Sequence, residues 1–243
     1  MPSVSSALSG RSALVTGASR GIGAAIARAM AQAGIRVALV ARTAHMIQQL
    51  AHEIGAGAVA FPCDLTDTSA VSGLAGRVEG ELGGAPDILV NNAGVFELAP
   101  LGGMPEALFV STVQTNLIAP FILMRAFAVA MEARGSGHIV TIGSIADRSV
   151  MPGNGAYSPA KFGLRAMHEV LRLELKGTGV RATLVSPGPV DTQMWDEVLT
   201  QDHARVLPSR DAMLTPEAVA EAVMYAVSQP GSVNIDELRL SRA

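Results

Sequence analysis

Tyr157 and Lys161 stand four residues apart in Tyr157-Ser158-Pro159-Ala160-Lys161, in a chain with only two tyrosines and two lysines. On a helix that spacing puts phenol and ammonium on one face. A cation beside a phenol favours phenolate and draws the tyrosine pKa down from about 10, the shift a general acid or base needs. An unrelated Tyr and Lys on a surface helix give the same spacing, so the pair takes its meaning from its surroundings.

Those surroundings are short apolar runs alternating with longer Ala-rich segments. Strands are expected at Ser12–Thr16, Arg36–Val40, Ala58–Pro62, Ile88–Asn91, His138–Ile142, Val180–Ser186 and Asn234–Leu240. Helices are expected at Gly21–Ala33, Thr43–Ile54, Thr68–Leu82, Pro105–Arg134, Gly155–Gly177 and Pro216–Ser228, the last with Thr215 as N-cap and Pro216 in the first turn. Most strands are apolar on both faces, as a parallel sheet covered by helices on each side requires. The expectation is one α/β domain over residues 1–243, a doubly wound sheet of about seven strands. An insertion without a partner strand is expected at Asp191–Leu214.

Ligands of open parallel sheets bind beyond the carboxyl ends of the strands, and the unusual residues fall there. The first strand runs into Thr16-Gly17-Ala18-Ser19-Arg20-Gly21-Ile22-Gly23. Glycines allow a tight turn and close approach to a pyrophosphate, and the helix N-terminus adds free N–H groups and a positive dipole end. The spacing is GxxxGxG, not the GxGxxG of the standard dinucleotide fingerprint. The second strand ends at Ala41-Arg42, where an NAD site usually carries an acid for the ribose 2′-hydroxyl. Arg42 with Arg20 suits a 2′-phosphate instead, so NADP(H) is expected ahead of NAD(H). The alternative is a solvated strand-end arginine. Asp64-Leu65 follows the third strand, as an adenine contact or a loop acid before the next helix. Asn91-Asn92-Ala93-Gly94 follows the fourth, as a ligand-facing turn or an ordinary one.

Ser144 ends the fifth strand, ahead of the Tyr157 helix. The sixth ends in Ser186-Pro187-Gly188-Pro189-Val190-Asp191-Thr192, a rigid edge for a flat ligand or a plain turn. Asn116 lies within the long helix, four residues before Pro120. A proline has no N–H, so the Asn116 carbonyl loses its intrahelical donor and a break is expected there.

Together these residues resemble the classical short-chain dehydrogenase/reductase family from Ser12 to Leu240, through the TGxxxGxG turn, Asn91-Asn92-Ala93-Gly94, Asn116, Ser144, Tyr157-x-x-x-Lys161 and Pro187-Gly188. The resemblance implies roles. Tyr157 is general acid in carbonyl reduction or base in alcohol oxidation. Lys161 binds the nicotinamide ribose and lowers the Tyr157 pKa. Ser144 hydrogen-bonds the reacting oxygen, and Asn116 holds a water through its carbonyl. Gly17, Ser19, Arg20 and Ile22 line the pyrophosphate and adenosine side. Asp64 and Leu65 meet adenine, Asn91 and Ala93 flank the ribose, and Pro187, Val190 and Thr192 position the carboxamide. The chain lacks the closing Gly-Gly turn of many members. That points away from acyl-carrier-protein reductases, toward enzymes of 3-hydroxy acids, small hydroxy amino acids or miscellaneous ketones. Phe96, Met151, Met194 and Trp195 are expected to wall an apolar substrate pocket. Arg148 is read as a loop arginine rather than a carboxylate ligand. The family also implies a homodimer or homotetramer built on the helices at Pro105–Arg134 and Gly155–Gly177.

Composition sets the outer limits. The chain has 243 residues, net charge −3, 49% hydrophobic residues and 4% aromatics, so the core is aliphatic. No basic stripe favours nucleic acid, and no apolar stretch of membrane-spanning length is expected. The Ser-rich start lacks the pattern of a secretory signal, and the single cysteine, Cys63, fits a reducing, cytoplasmic setting. The five histidines have no metal-ligand spacing, so no metal is expected. The expected activity is hydride transfer between NADP(H) and a small carbonyl or secondary alcohol. The rivals are a non-catalytic dinucleotide sensor, an NAD-dependent alcohol dehydrogenase, and an epimerase or dehydratase of the extended family, the last disfavoured by length.

Overall fold

The computed structural model describes residues 8–196 and 208–243. Seven strands form one sheet: β1 (Ser12–Thr16), β2 (Arg36–Ala41), β3 (Val59–Pro62), β4 (Ile88–Asn91), β5 (Gly137–Ile142), β6 (Val180–Pro187) and β7 (Glu237–Leu240). Their order is β3-β2-β1-β4-β5-β6-β7, and every neighbouring pair is parallel. The order reverses between β1 and β4, which opens a crevice at their carboxyl ends.

Among the described residues, seven α-helices surround the sheet: α1 (Gly21–Gln32), α2 (Ala44–Ile54), α3 (Thr68–Leu82), α4 (Glu106–Val113), α5 (Ala119–Arg134), α6 (Tyr157–Glu174) and α7 (Pro216–Val227). Two aliphatic cores result. Val15, Val37, Leu39 and Val185 pack with Ile26, Met30, Val219 and Val223 on one face. Leu14, Val40 and Leu89 pack with Leu74, Leu123, Phe127 and Leu164 on the other. Leu14 and Val15 are neighbours in β1 yet belong to opposite cores, which is why the strands read as continuous apolar runs rather than alternating ones.

The expected long helix is broken. A π-helical turn, Gln114–Ile118, separates α4 from α5, and Pro120 opens α5. The break falls where Pro120 withholds its N–H from the Asn116 carbonyl, and π turns are common at functional positions. The run 106–134 also corrects the reading of apolar length. Among the described residues this one helix is long and apolar enough to cross a membrane, with an 18-residue window of mean hydropathy 1.6, of which 44% is buried in the fold. Leu123, Phe127 and Met131 account for the inner face, while Phe121 and Val129 are exposed. Polar residues at Gln114, Asn116 and Arg125 interrupt the run in sequence.

Strand β7 begins three residues later than expected. The Asn234 side chain does the work of a strand backbone there: its Oδ1 accepts from Ala182 N (2.9 Å) and its Nδ2 donates to Ala182 O (3.1 Å). In the expected insertion, short 3₁₀ turns occur at Gln193–Trp195 and Arg210–Ala212. Residues 197–207 of it lie outside the described residues. The insertion's two ends are fastened by Asp191 N to Leu214 O (2.8 Å) and Leu214 N to Pro189 O (2.8 Å).

Candidate active site

The glycine-rich turn after β1 is shaped by space rather than by side chains. Gly17 has φ +67°, and a Cβ there would lie 2.8 Å from Ala93 Cα. A Cβ on Gly23 would collide with the Gly17 carbonyl and the Asn92 amide. On Gly21, at φ +55°, it would lie 3.0 Å from Thr192 Cγ2. The turn, the loop after β4 and the loop after β6 therefore meet at one place.

Thr16 and Asn92 fasten that meeting point. Thr16 Oγ1 accepts from Asn92 N (3.0 Å) and Ala93 N (3.1 Å), and Asn92 Nδ2 donates to Thr16 O (2.8 Å). Neither residue carries a role in the sequence reading. Both sit at strand ends within the motifs, which is the only signal they offer. Asn91 is buried at the end of β4, and neither polar atom of its amide has a hydrogen-bond partner among the described residues.

Helix α1 begins without a side-chain cap, its N-cap position being held by Arg20. Its free N–H groups thus face the turn unengaged by any cap. By contrast, Asp67 accepts from Ser69 N and Ala70 N at the start of α3. Arg20 and Arg42 are exposed, and neither makes an ion pair among the described residues. Arg42 acts on Asp64 at a distance: the Asp64 carboxyl is held below its usual range first by hydrogen bonds from Thr66 and then by the Arg42 charge. Leu65 beside it is buried.

The second half of the crevice is polar and enclosed. Tyr157 opens α6, one position from its N-cap, so the phenol sits at the positive end of the helix dipole. Lys161 is buried, and its Nζ donates to Ile142 O at the end of β5 (2.8 Å). Burial lowers the Lys161 pKa to about 8, with Asp147 pulling it partly back up. The Lys161 Nζ lies 5.7 Å from the centre of the Tyr157 ring.

The expected lowering of the Tyr157 pKa is not found. Burial pushes it up, hydrogen bonding with Ser144 draws it part of the way back, and the Asp147 charge pushes it up further. The Lys161 ammonium is spent on the Ile142 carbonyl, and desolvation of the phenolate outweighs it.

Ser144 caps the 3₁₀ turn Ile145–Asp147 in a reciprocal capping box: its Oγ accepts from Ala146 N (3.1 Å), and its own N–H reaches Asp147 Oδ2 (3.4 Å). Asn116 is fully buried, and its amide clamps the backbone of Val95. Oδ1 accepts from Val95 N (2.9 Å) and Nδ2 donates to Val95 O (2.9 Å). This fixes the loop bearing Ala93, Gly94 and Phe96. Sequence alone points to the Asn116 carbonyl and gives no sign of this clamp.

An aromatic wall stands over the phenol. Phe96 meets Tyr157 edge-on, with ring centres 4.9 Å apart and planes at 74°, and its centre lies 5.3 Å from that of Trp195. Trp195 Nε1 donates to Val190 O (2.9 Å), tying the wall to the loop after β6. Met194 precedes Trp195 in its turn, and Met151 lies between Ser144 and Tyr157; both are partly buried. Pro187 ends β6, where it pairs in register with Leu240. Ser19 and Ile22 lie in the glycine-rich turn and the first turn of α1, both partly buried. Arg148 is engaged internally by Asp147 and Glu237, as befits a loop arginine.

The comparisons agree with this architecture. A family model described as short chain dehydrogenase matches residues 11–203. The chain belongs to that family. Two relatives illustrate its breadth. A glycine betaine reductase from Emericella nidulans is 39% identical over 95% of this chain, which spans only 18% of that protein. A D-threitol dehydrogenase from Mycolicibacterium smegmatis is 36% identical over 93% of this chain and 90% of its own. A metagenomic short-chain oxidoreductase, solved in complex with NADP, superposes with a TM-score of 0.82 at 36% identity, covering 96% of this chain and 98% of the other.

Proposed function

We propose that this protein is an NADP(H)-dependent oxidoreductase of small carbonyls and secondary alcohols, working as one dinucleotide-binding domain with Tyr157 as its general acid or base. The observation that carries the reading is the convergence of Ser144, Tyr157 and Lys161 at the ends of β5 and α6. They lie across the crevice from a glycine turn that has no room for side chains.

The residues present fit a dinucleotide. The uncapped start of α1, with Gly17, Ser19, Arg20 and Ile22, offers N–H groups to a pyrophosphate. Asp64 and Leu65 suit the adenine, and Arg42 with Arg20 suits a 2′-phosphate. The unpartnered Asn91 amide and the Ala93 backbone flank the middle of the crevice, with Pro187, Val190 and Thr192 closing its far side. The NADP found in the related metagenomic enzyme favours the same cofactor. When bound, the nicotinamide supplies or accepts the hydride.

The protein's own part is proton transfer and oxyanion stabilisation. Ser144 and Tyr157 hydrogen-bond the oxygen on which charge develops. The raised Tyr157 pKa keeps the phenol protonated at neutral pH, as reduction requires. Lys161, titrating at about 8, takes up and releases protons behind it, and the Asn116 carbonyl at the π turn is the place for a relaying water. Phe96, Met151, Met194 and Trp195 present an apolar wall to the rest of the substrate. Phe109, Phe121 and Val129 on the 106–134 helix, with Phe162, Val170 and Leu173 on α6, leave apolar faces suited to a homodimer or homotetramer. The buried, unpaired thiol of Cys63 suits a cytoplasmic setting.

The test is NADPH oxidation against β-keto esters, diketones, keto acids, cyclic ketones and aldehydes, with Tyr157→Phe as the blank. Turnover above that blank is expected. Tight NADPH binding with no turnover on any of them would favour a non-catalytic sensor.

A further inference from the structure

One buried carboxylate lies behind the site with no part in the roles above. Asp147 is fully buried at the end of the turn that Ser144 caps. Its Oδ2 accepts from Ser186 Oγ on β6 (2.6 Å) and is reached by Ser144 N (3.4 Å). Its Oδ1 accepts from Arg148 Nε (2.6 Å). The other end of the Arg148 guanidinium pairs with Glu237, the first residue of edge strand β7. Gly143 keeps the arrangement possible, because a Cβ there would lie 2.6 Å from Ser186 Oγ and 2.8 Å from Asp147 Oδ2. A fully buried carboxylate costs several kcal/mol unless paired and hydrogen-bonded. Here it takes donors from three directions, and the turn it holds is the one that carries Ser144.

We propose that Asp147 is a positioning residue of the hydride-transfer site: held between Ser186 and Arg148, its carboxylate fixes the Ser144 turn and sets a buried negative charge behind Tyr157 and Lys161, anchored through Arg148 to Glu237. The inference rests on the reading of the site given under Proposed function. Among the described residues, Asp147 is the charged group acting on both Tyr157 and Lys161, and it favours the protonated form of each. Among the described residues, the groups facing the phenol are the Ser144 side chain and Asp147 from the turn, and Lys161 from α6; Arg148 and Glu237 lie behind Asp147.

Reduction needs Tyr157 protonated, so its rate falls as pH rises through the Tyr157 pKa. Removing the Asp147 charge lowers that pKa and moves the alkaline limb to lower pH. In Asp147→Asn the limb of kcat/KM should shift acidward by about half a unit to one unit. With Ser144 less firmly held, kcat should fall about tenfold while KM for NADPH stays within about twofold. Glu237→Gln, a change at a partly exposed residue, leaves Arg148 to act on Asp147 alone. It should give a smaller shift in the same direction. An unmoved limb in folded Asp147→Asn overturns the inference; if that variant does not fold, an unmoved limb in Glu237→Gln does so. Tyr157→Phe, run in parallel, separates the two claims. Wild-type turnover in it overturns the reading of the site, whereas a dead Tyr157→Phe with an unmoved Asp147→Asn limb removes only this inference.

Discussion

The two halves of the crevice are built on opposite plans. On the β1 side the chain makes room by leaving side chains out: Gly17, Gly21 and Gly23 bring three loops together, and no side chain caps helix α1. On the β5 side it fills the space with polar groups taken out of water. Lys161 and Asp147 are buried, and Tyr157 is pushed above its ordinary pKa. The first half spends conformational freedom, a cost that falls on the unfolded chain. The second spends desolvation, a cost that falls on the native state. A dinucleotide needs backbone donors at close range, whereas proton transfer needs groups whose charge is easily moved. Damage to the first half should therefore appear in cofactor affinity and folding, and damage to the second in turnover and pH response.

The largest separation is expected from Tyr157→Phe. It removes one oxygen from the polar half and nothing from the glycine turn. Carbonyl reduction should fall by about a thousandfold or more, with Kd for NADPH within about threefold. Fluorescence titration against steady-state rates measures both, and a parallel loss of affinity would erase the division between the halves.

Gly23→Ala strikes the other half. Its Cβ meets the Gly17 carbonyl and the Asn92 amide, which donates to both Thr16 O and Gly17 O, so neither yields cheaply. We expect a loss of about 2–4 kcal/mol in unfolding free energy, and weakened NADPH binding in whatever folds. Urea unfolding with and without NADPH gives both numbers.

The two plans were unequally legible in sequence. The sheet could be read almost strand by strand, because burial on both faces leaves continuous apolar runs between turn residues. The glycine turn and the Tyr157–Lys161 pair were legible for a local reason: each is fixed within a few residues of its neighbours. The clamps were not. Asn116 holds Val95 across 21 residues, Ser186 reaches Asp147 across 39, Thr16 meets Asn92 across 76, and Arg148 meets Glu237 across 89. Side-chain bonds over such separations leave no periodicity. Asp147 alone had a local sign, since Ser144-Ile145-Ala146-Asp147 is a capping-box pattern. The direction of the Tyr157 pKa is not legible in sequence, because spacing reveals the cation but not the burial that raises the phenol, nor the Ile142 carbonyl to which the lysine donates.

Lys161→Met sharpens the desolvation argument. The lysine pKa is lowered from 10.5 to about 8 by burial, so the unfolded chain holds its proton more tightly than the native state does. The native state bears the full cost below about pH 8, and that cost fades as pH rises toward 10.5. Methionine removes the charge and keeps much of the volume. At pH 7 the variant should be more stable than the wild type by about 1–3 kcal/mol and nearly inactive. The stability difference should shrink as pH rises above 8, a trend that thermal unfolding at several pH values would reveal.

The smallest effect is expected at the rim of the glycine half. Arg42 is exposed, with no ion pair among the described residues, so its removal disturbs no packing and no bridge. Under the proposed reading, an Arg42 contact with a 2′-phosphate would be charge-assisted but bathed in solvent, which holds its value well below that of a buried pair. Arg42→Ala should therefore raise Kd for NADPH about tenfold, leave Kd for NADH within about twofold, and leave kcat with saturating NADPH unchanged. Raising salt should narrow the wild-type preference in the same direction, because screening acts on exposed charges first. Equal losses for the two cofactors would mean that Arg42 shapes the turn rather than reading the phosphate. The glycine half would then select its ligand by backbone alone.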